Sequence, residues 1–344
     1  MKDRSMKISY YLIMHCFVLL YSSTNAQWTQ SGLDGYFVRT INVSGTNLFV
    51  GTSGDGIFHS TNSGTSWTAV NSGLTNLYVN AFTVSGTNLF AGTEGNGVYR
   101  STNNGANWSA TGTLSTPYIY ALAVSGTNIF AGADGDGVFR STNNGTTWTL
   151  VSTGITNTRI FALAAFGTNL YAGTFGGGVF LSTNNGTNWT PINVGLTNTS
   201  VNTLLVSDAN IFAGTEDGIF LSTNNGSSWT SASFGLTNTF IHALAISGTN
   251  LYAGTEDGVF HSTNNGANWT AINSGLTNPT IFALTVYGTN LFAGSNGNGV
   301  WIRPIDIVVP VELVSFSAST NGNNVSLNWS TATETNNSGF SIER

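Results

Sequence analysis

The sequence predicts an all-β fold, a seven-bladed β-propeller, and three observations carry that expectation. The first is an internal repeat: STNNGTTW, Ser141 to Trp148, recurs almost letter for letter and closes on Trp67, Trp108, Trp189, Trp229 and Trp269, so that the six tryptophans stand 40 or 41 residues apart. A fixed period in this range belongs to propeller or solenoid repeats. The second is that each unit parses into four short apolar runs divided by turn residues, without the periodicity of a helical repeat. The third is an Asn-Gly pair in five of the repeats, at Asn104, Asn144, Asn185, Asn225 and Asn265, with Ser63-Gly64 in the first. Asn-Gly between strands is the strongest short hairpin signal, because both turn positions take positive φ.

Residues 1–26 read as a secretory signal peptide. MKDRSMK supplies three basic groups, ISYYLIMHCFVLL an apolar stretch, and Thr24-Asn25-Ala26 a small residue before Gln27. The apolar stretch falls short of the ~20 residues that a membrane span requires. The expectation is therefore a protein that is secreted or held at the cell surface, with no membrane span in the mature chain. Cleavage removes Cys16, the single cysteine, and with it any disulfide or thiol chemistry. It also removes Lys2, Arg4, Lys7 and Asp3, leaving six basic and fourteen acidic residues, net −8. Such a balance excludes nucleic acid as a partner. Charged residues make up only 7% of the chain against 40% hydrophobic, which excludes disorder as the main class.

Residues 27–305 form the predicted propeller. In the third unit IYALAVSG is the inner strand, IFAGAD the second, GVFRST the third and WTLV the fourth. Inner strands containing Ile41, Phe82, Leu122, Leu163, Leu204, Leu244 and Leu284 give seven blades, yet the last unit runs GVWIRP and stops before a fourth strand. Gln27-Trp28-Thr29 matches the Trp-Thr that opens the fourth strand in five of the six boxed units. Pairing it with the strand around Val300 closes the ring and leaves no exposed edge between first and last blades, as expected of a monomeric propeller.

The repeated Ser-x-Asn-x-Gly-x-x-Trp resembles the Asp-box, or BNR repeat, of sialidases, sortilin receptors, some xyloglucan-degrading enzymes and photosystem-assembly propellers. Asn62, Asn103, Asn143, Asn184, Asn224 and Asn264 stand at the Asp position, followed by Trp67, Trp108, Trp148, Trp189, Trp229 and Trp269. The elementary chemistry of the box is structural. Asn side chains bond backbone N–H groups in turns, Gly takes positive φ, and Trp supplies an apolar plate with one N–H.

The resemblance implies sites on the face opposite the boxes, where the inner strands begin. Two columns vary there from blade to blade: Phe37, Tyr78, Tyr118, Arg159, Ser200, Phe240, Thr280, and Arg39, Asn80, Tyr120, Phe161, Asn202, His242, Phe282. Between them runs a Val or Ile column suited to blade packing. The expected binding residues at this central mouth are Arg39, Tyr78, Asn80, Tyr118, Tyr120, Arg159, Phe161, Asn202, Phe240, His242 and Phe282, a mixture that suits an extracellular glycan or protein. The competing expectations are that the aromatics fill gaps between blades and that His242 is bonded to a partner.

The turns of the same face hold Asp55, Glu94, Asp134, Asp136, Glu216, Asp217, Glu256 and Asp257. Such carboxylates serve as solvated turn residues, as oxygen ligands for Ca²⁺ or as a glycosidase pair. No motif specific for Ca²⁺ or for any other cofactor is present, and no cofactor is assigned. The alternative function is a sialidase-like glycoside hydrolase. The resemblance implies for it three arginines, a Tyr nucleophile with a Glu partner, and an Asp. Only Arg39, Arg100, Arg140, Arg159 and Arg303 lie between residues 27 and 305, and Val38-Arg39-Thr40 stands where that family has Arg-Ile-Pro. The expectation is thus a non-catalytic binding module, with no catalytic residue assigned.

Residues 306–344 lose the repeat. VELVSFSAS and VSLNW, joined through NGNN, predict a hairpin followed by a strand at FSIER. The stretch resembles the opening of the fibronectin III-like module that precedes the sorting domain of type IX secretion cargo. Such a sandwich needs about 100 residues, so the chain is expected to continue beyond Arg344.

Overall fold

The computed structural model describes residues 27–207, 209–305, 313–321 and 324–331. The signal-peptide assignment and the strand expected at FSIER lie outside these residues. The described strands form seven four-stranded antiparallel sheets and one two-stranded sheet.

The third blade shows why the repeat folds as it does. Its strands are Ile119–Ser125, Asn128–Ala133, Val138–Ser141 and Thr149–Leu150, paired in that order from the axis outward. The second strand is buried along almost its whole length, because neighbouring blades cover both of its faces. Contact between blades is set by the apolar column at the start of the inner strands. Val38, Val79, Ile119, Ile160, Val201, Ile241 and Ile281 are all fully buried. Each leans on a glycine in the second strand of the preceding blade: a Cβ at Gly132 would stand 2.6 Å from Ile160 Cγ2. The glycine is therefore a requirement of close approach between sheets.

The predicted closure is present. Thr29–Gly32 pairs antiparallel with Val300–Pro304, in the register Gln30 to Trp301, and completes a sheet with Asn290–Ser295 and Ile281–Tyr287. The first of the described strands is thus the outer strand of the last blade.

The repeated turn is a closed hydrogen-bond network. In the third blade Asn143 Oδ1 accepts from the Ser141 hydroxyl and the Thr147 N–H, while Ser141 Oγ accepts from the Gly145 N–H. Asn144 and Gly145 take φ of 54° and 81°, as Asn-Gly in a hairpin requires. The turn aims the tryptophan at the preceding blade. The indole N–H of Trp108, Trp189, Trp229 and Trp269 donates to the carbonyl of Val70, Val151, Ile192 and Ala232. Trp67 donates to Ser31 and Trp28 to Ile272, so the closing strand takes part on both sides. Trp148 donates instead to the Thr111 hydroxyl at 3.0 Å.

The tail forms a separate unit from residue 305 onward. Its described part is a hairpin of Leu313–Asn321 and Asn324–Thr331, paired from Asn321–Asn324 outward.

The tryptophans differ in burial, and the difference is testable. Trp189 is 4% exposed, whereas Trp148 is only partly buried. Trp189→Ala is expected to cost about 3–5 kcal/mol, and Trp148→Ala distinctly less. Chemical denaturation of the two variants beside the parent protein measures both; equal losses would contradict the inter-blade role assigned to the buried ring.

Candidate functional site

Antiparallel order places the starts of the inner strands and the turns between second and third strands on one face, with the STNNG turns on the other. Backbone bonds stitch that first face from blade to blade. Gly54 and Gly56 donate to the Leu77 carbonyl, Gly95 and Gly97 to Pro117, Gly135 to Thr158, Gly218 to Thr239, and Gly299 to Tyr36 across the closure. With Gly176 and Gly178 donating to Thr199, the entry segment of the inner strand is held by the turn of the blade before it at six of the seven junctions, and the residues that follow point to the axis.

One residue from each blade meets at the axis: Arg39, Asn80, Tyr120, Phe161, Asn202, His242 and Phe282. They are the common wall of two cavities of about 390 Å³ each, an outer bowl that also reaches Glu94 and Phe240, and an inner channel lined by Ala81, Leu122, Leu163, Leu204 and Leu244. Seven of the eleven predicted site residues form this ring and Phe240 lines the bowl. Arg159 reaches it through its contacts, with its guanidinium 5.6 Å from the Phe161 ring. Tyr78 and Tyr118 belong to neither wall; they stand on the face outside the mouth, 51% and 46% exposed.

The aromatics gather on two sides. Tyr120 meets Phe161 edge to face at 5.2 Å, and Phe161 meets Phe175 at 5.4 Å. On the other side His242 packs between Phe240 at 4.8 Å and Phe282 at 4.7 Å, and the Arg39 guanidinium lies 4.7 Å above Phe282. Asn80 and Asn202, from the second and fifth blades, separate the two walls. Phe175 was not singled out from sequence, although a signal existed: it occupies a turn column otherwise filled by Ser53, Glu94, Asp134, Glu216, Glu256 and Asn296.

The polar groups of the ring are incompletely satisfied. Asn202 Nδ2 donates to the Ile241 carbonyl. Asn80 Nδ2 and His242 Nε2 are buried and have no hydrogen-bond partner. The expectation that His242 is bonded to a partner is therefore corrected: its approach is Glu256 Oε1 at 4.0 Å, too long for a hydrogen bond. Burial, followed by the charge of Arg39, pushes the His242 pKa down to about 4. Arg39 uses its Nε on the Ser53 hydroxyl. The Tyr120 phenol is held above its ordinary pKa by burial first, then by Glu94 and Asp134. By contrast Arg100 and Arg140 are engaged at the opposite face, donating to the carbonyls of Asn144 and Asn185.

The acidic turns divide by use. Asp134 is spent on Arg159, at 2.8 Å. Asp136 accepts from Ser115, and hydrogen bonds from Ser115 and Thr116 hold its carboxyl below the usual range, opposite to what a general acid needs. Among the described residues no three His, Cys, Asp or Glu side chains come together as a metal site.

Among solved structures the chain resembles an extracellular domain of a putative hybrid two component system from B. thetaiotaomicron. The TM-score is 0.69 with 17% identity, over 90% of this chain and 46% of that one. It resembles YCF48 from Cyanidioschyzon merolae at TM-score 0.65 and 15% identity, over 83% of this chain and 100% of that one. A GH74 enzyme of Niastella koreensis matches at TM-score 0.60 and 18% identity, over 80% of this chain and 44% of that one. The chain thus spans less than half the length of the sensor and enzyme chains, and identities this low show the fold alone. No curated protein matches. A family model does match, over residues 38–159 and again over 155–282. These two stretches together take in most of the chain, which belongs to the family of the DUF6242 beta propeller domain.

Proposed function

We propose that the protein is an extracellular, non-catalytic binding propeller that takes a glycan or protein ligand in its central mouth. One observation carries this reading: two buried polar groups, Asn80 Nδ2 and His242 Nε2, stand without partners in the wall shared by bowl and channel. A buried polar group left unpaired costs about 1–3 kcal/mol, and a ligand or its ordered water supplies the missing bonds. The aromatic walls on either side offer flat faces for a sugar ring or an aromatic side chain. Two neighbours support the reading. The sensor chains use this fold as an extracellular domain, and YCF48 has been solved bound to D1 peptide.

The mouth is tested by probing the protein on a broad glycan array and by cross-linking to extracellular proteins, beside a Phe161→Ala/His242→Ala double variant. Binding present in the parent and lost in the variant is the expected result. Binding that survives both substitutions would remove the mouth from consideration, and release of product from the glycan panel would favour the hydrolase alternative.

The neutral state of His242 sets a pH dependence. Its folded pKa of about 4 lies below the ordinary 6.5, so the unfolded chain binds the extra proton first as pH falls. Stability is therefore lost progressively below pH 6.5 and levels off once the folded pKa is passed, by at most about 3 kcal/mol from this residue. His242→Phe is expected to melt with a smaller shift between pH 7 and pH 4.5 than the parent; equal shifts would mean that the imidazole is solvated in the folded protein.

A further inference from the structure

The mouth face carries a second feature, outside the ring. Phe37, Tyr78 and Tyr118, one on each of three consecutive blades, are 45%, 51% and 46% exposed. The rings of Phe37 and Tyr78 lie over backbone turns of the preceding blade, at Gly297 and Gly54. Blade packing does not ask for them, since Ser200 and Thr280 fill the same column elsewhere. Grouped exposed aromatics of this kind mark an interaction surface.

Charge selects the occupant. Tyr118 pairs through its backbone with Glu94, and Tyr78 with Ser53, two residues before Asp55. Asp55 and Glu94 are exposed, and neither has an ion-pair partner among the described residues. At the next junction the column of Tyr78 and Tyr118 holds a cation instead of an aromatic ring. There the chain's own Arg159 lies 4.7 Å above the Phe175 ring and donates to Asp134 at 2.8 Å. A cation between an aromatic face and a carboxylate satisfies both. Arg100 and Arg140 are turned to the opposite face, and Arg39 is engaged by the Ser53 hydroxyl and the Phe282 ring, so none of the three pairs with Asp55 or Glu94.

We propose that the arc of Phe37, Tyr78 and Tyr118 docks an extended, arginine- or lysine-bearing segment of a protein partner. Its cations sit on Tyr78 and Tyr118 beside Asp55 and Glu94, with the same chemistry of aromatic face and carboxylate that Arg159 finds in Phe175 and Asp134. The proposal rests on the binding role of this face and places a protein contact on the rim of the mouth, where Glu94 borders the bowl and Phe37, Tyr78, Tyr118 and Asp55 lie outside it. A glycan would stack on the same rings and make no demand on the carboxylates, which is how the two occupants are told apart.

The experiment uses the full chain and fluorescein-labelled peptides built from repeated Gly-Arg-Ser or Gly-Glu-Ser, followed by fluorescence anisotropy at low salt. The arginine peptide is expected to bind, more weakly as salt rises, and the glutamate peptide is not. Tyr78→Ser/Tyr118→Ser, and separately Asp55→Asn/Glu94→Gln, should each weaken binding by about tenfold. All four side chains are exposed, and melting curves confirm that the variants fold. The Phe161→Ala/His242→Ala variant should bind the arginine peptide like the parent, so failure of the mouth reading and failure of the arc are read separately. No binding of the arginine peptide, or binding indifferent to the tyrosines, would overturn the proposal. So would a glycan-array signal that needs the tyrosines and ignores Asp55→Asn/Glu94→Gln.

Discussion

Everything in this propeller depends on the indole of one blade reaching the backbone of the blade before it. A four-stranded sheet alone buries little, and its outermost strand here is two residues long, as at Thr190–Pro191. The tryptophan at the head of that strand makes up the difference. Its ring fills the space between sheets, its N–H takes a carbonyl that would otherwise be buried unpaired, and its own backbone N–H is bonded to the neighbour as well, Trp189 to the Thr153 carbonyl for example. The STNNG turn exists to hold that ring at the correct angle. A side chain with both an apolar plate and a donor can do this; Phe would leave the carbonyl unpaired, and a smaller residue would leave a cavity.

Because inter-blade packing is assigned to the tryptophans, to the Val/Ile column and to the glycines beneath it, the positions flanking that column are released from structural duty. Arg39, Asn80, Tyr120, Phe161, Asn202, His242 and Phe282 occupy equivalent places on seven similar scaffolds yet are of five different residue types. The scaffold supplies rigidity through the backbone bonds between turn and entry segment, and the side chains supply whatever the mouth recognises. Unpaired groups such as Asn80 Nδ2 are tolerated there because the seven-fold framework bears the energetic cost elsewhere.

The fold was legible because its determinants are local and repeated. Asn144-Gly145 states its own φ signs, and Trp28-Thr29 identifies itself as a fourth strand by likeness to six others. The ring of site residues was legible for a related reason, since departure from a repeat column is visible without coordinates. What the columns could not show is convergence across blades. The stacking of Arg159 on Phe175, the passage of Arg39 over Phe282 and the isolation of His242 Nε2 join residues from different turns of the repeat, and no spacing in the sequence encodes which side chain leans which way. The same holds for Trp67 and Trp148, whose boxes read like the others and whose rings are less buried.

The pairing of Thr29–Gly32 with Val300–Pro304 also imposes an order in time. Chain synthesis delivers the closing strand before its partner, so the Trp28 indole has nowhere to dock until Ile272, 244 residues later. Six blades can assemble from neighbours in sequence, but the ring cannot. Its closure joins the two ends of the propeller through the largest sequence separation of any strand pairing in the ring, the kind of contact whose loop entropy must be met before it contributes.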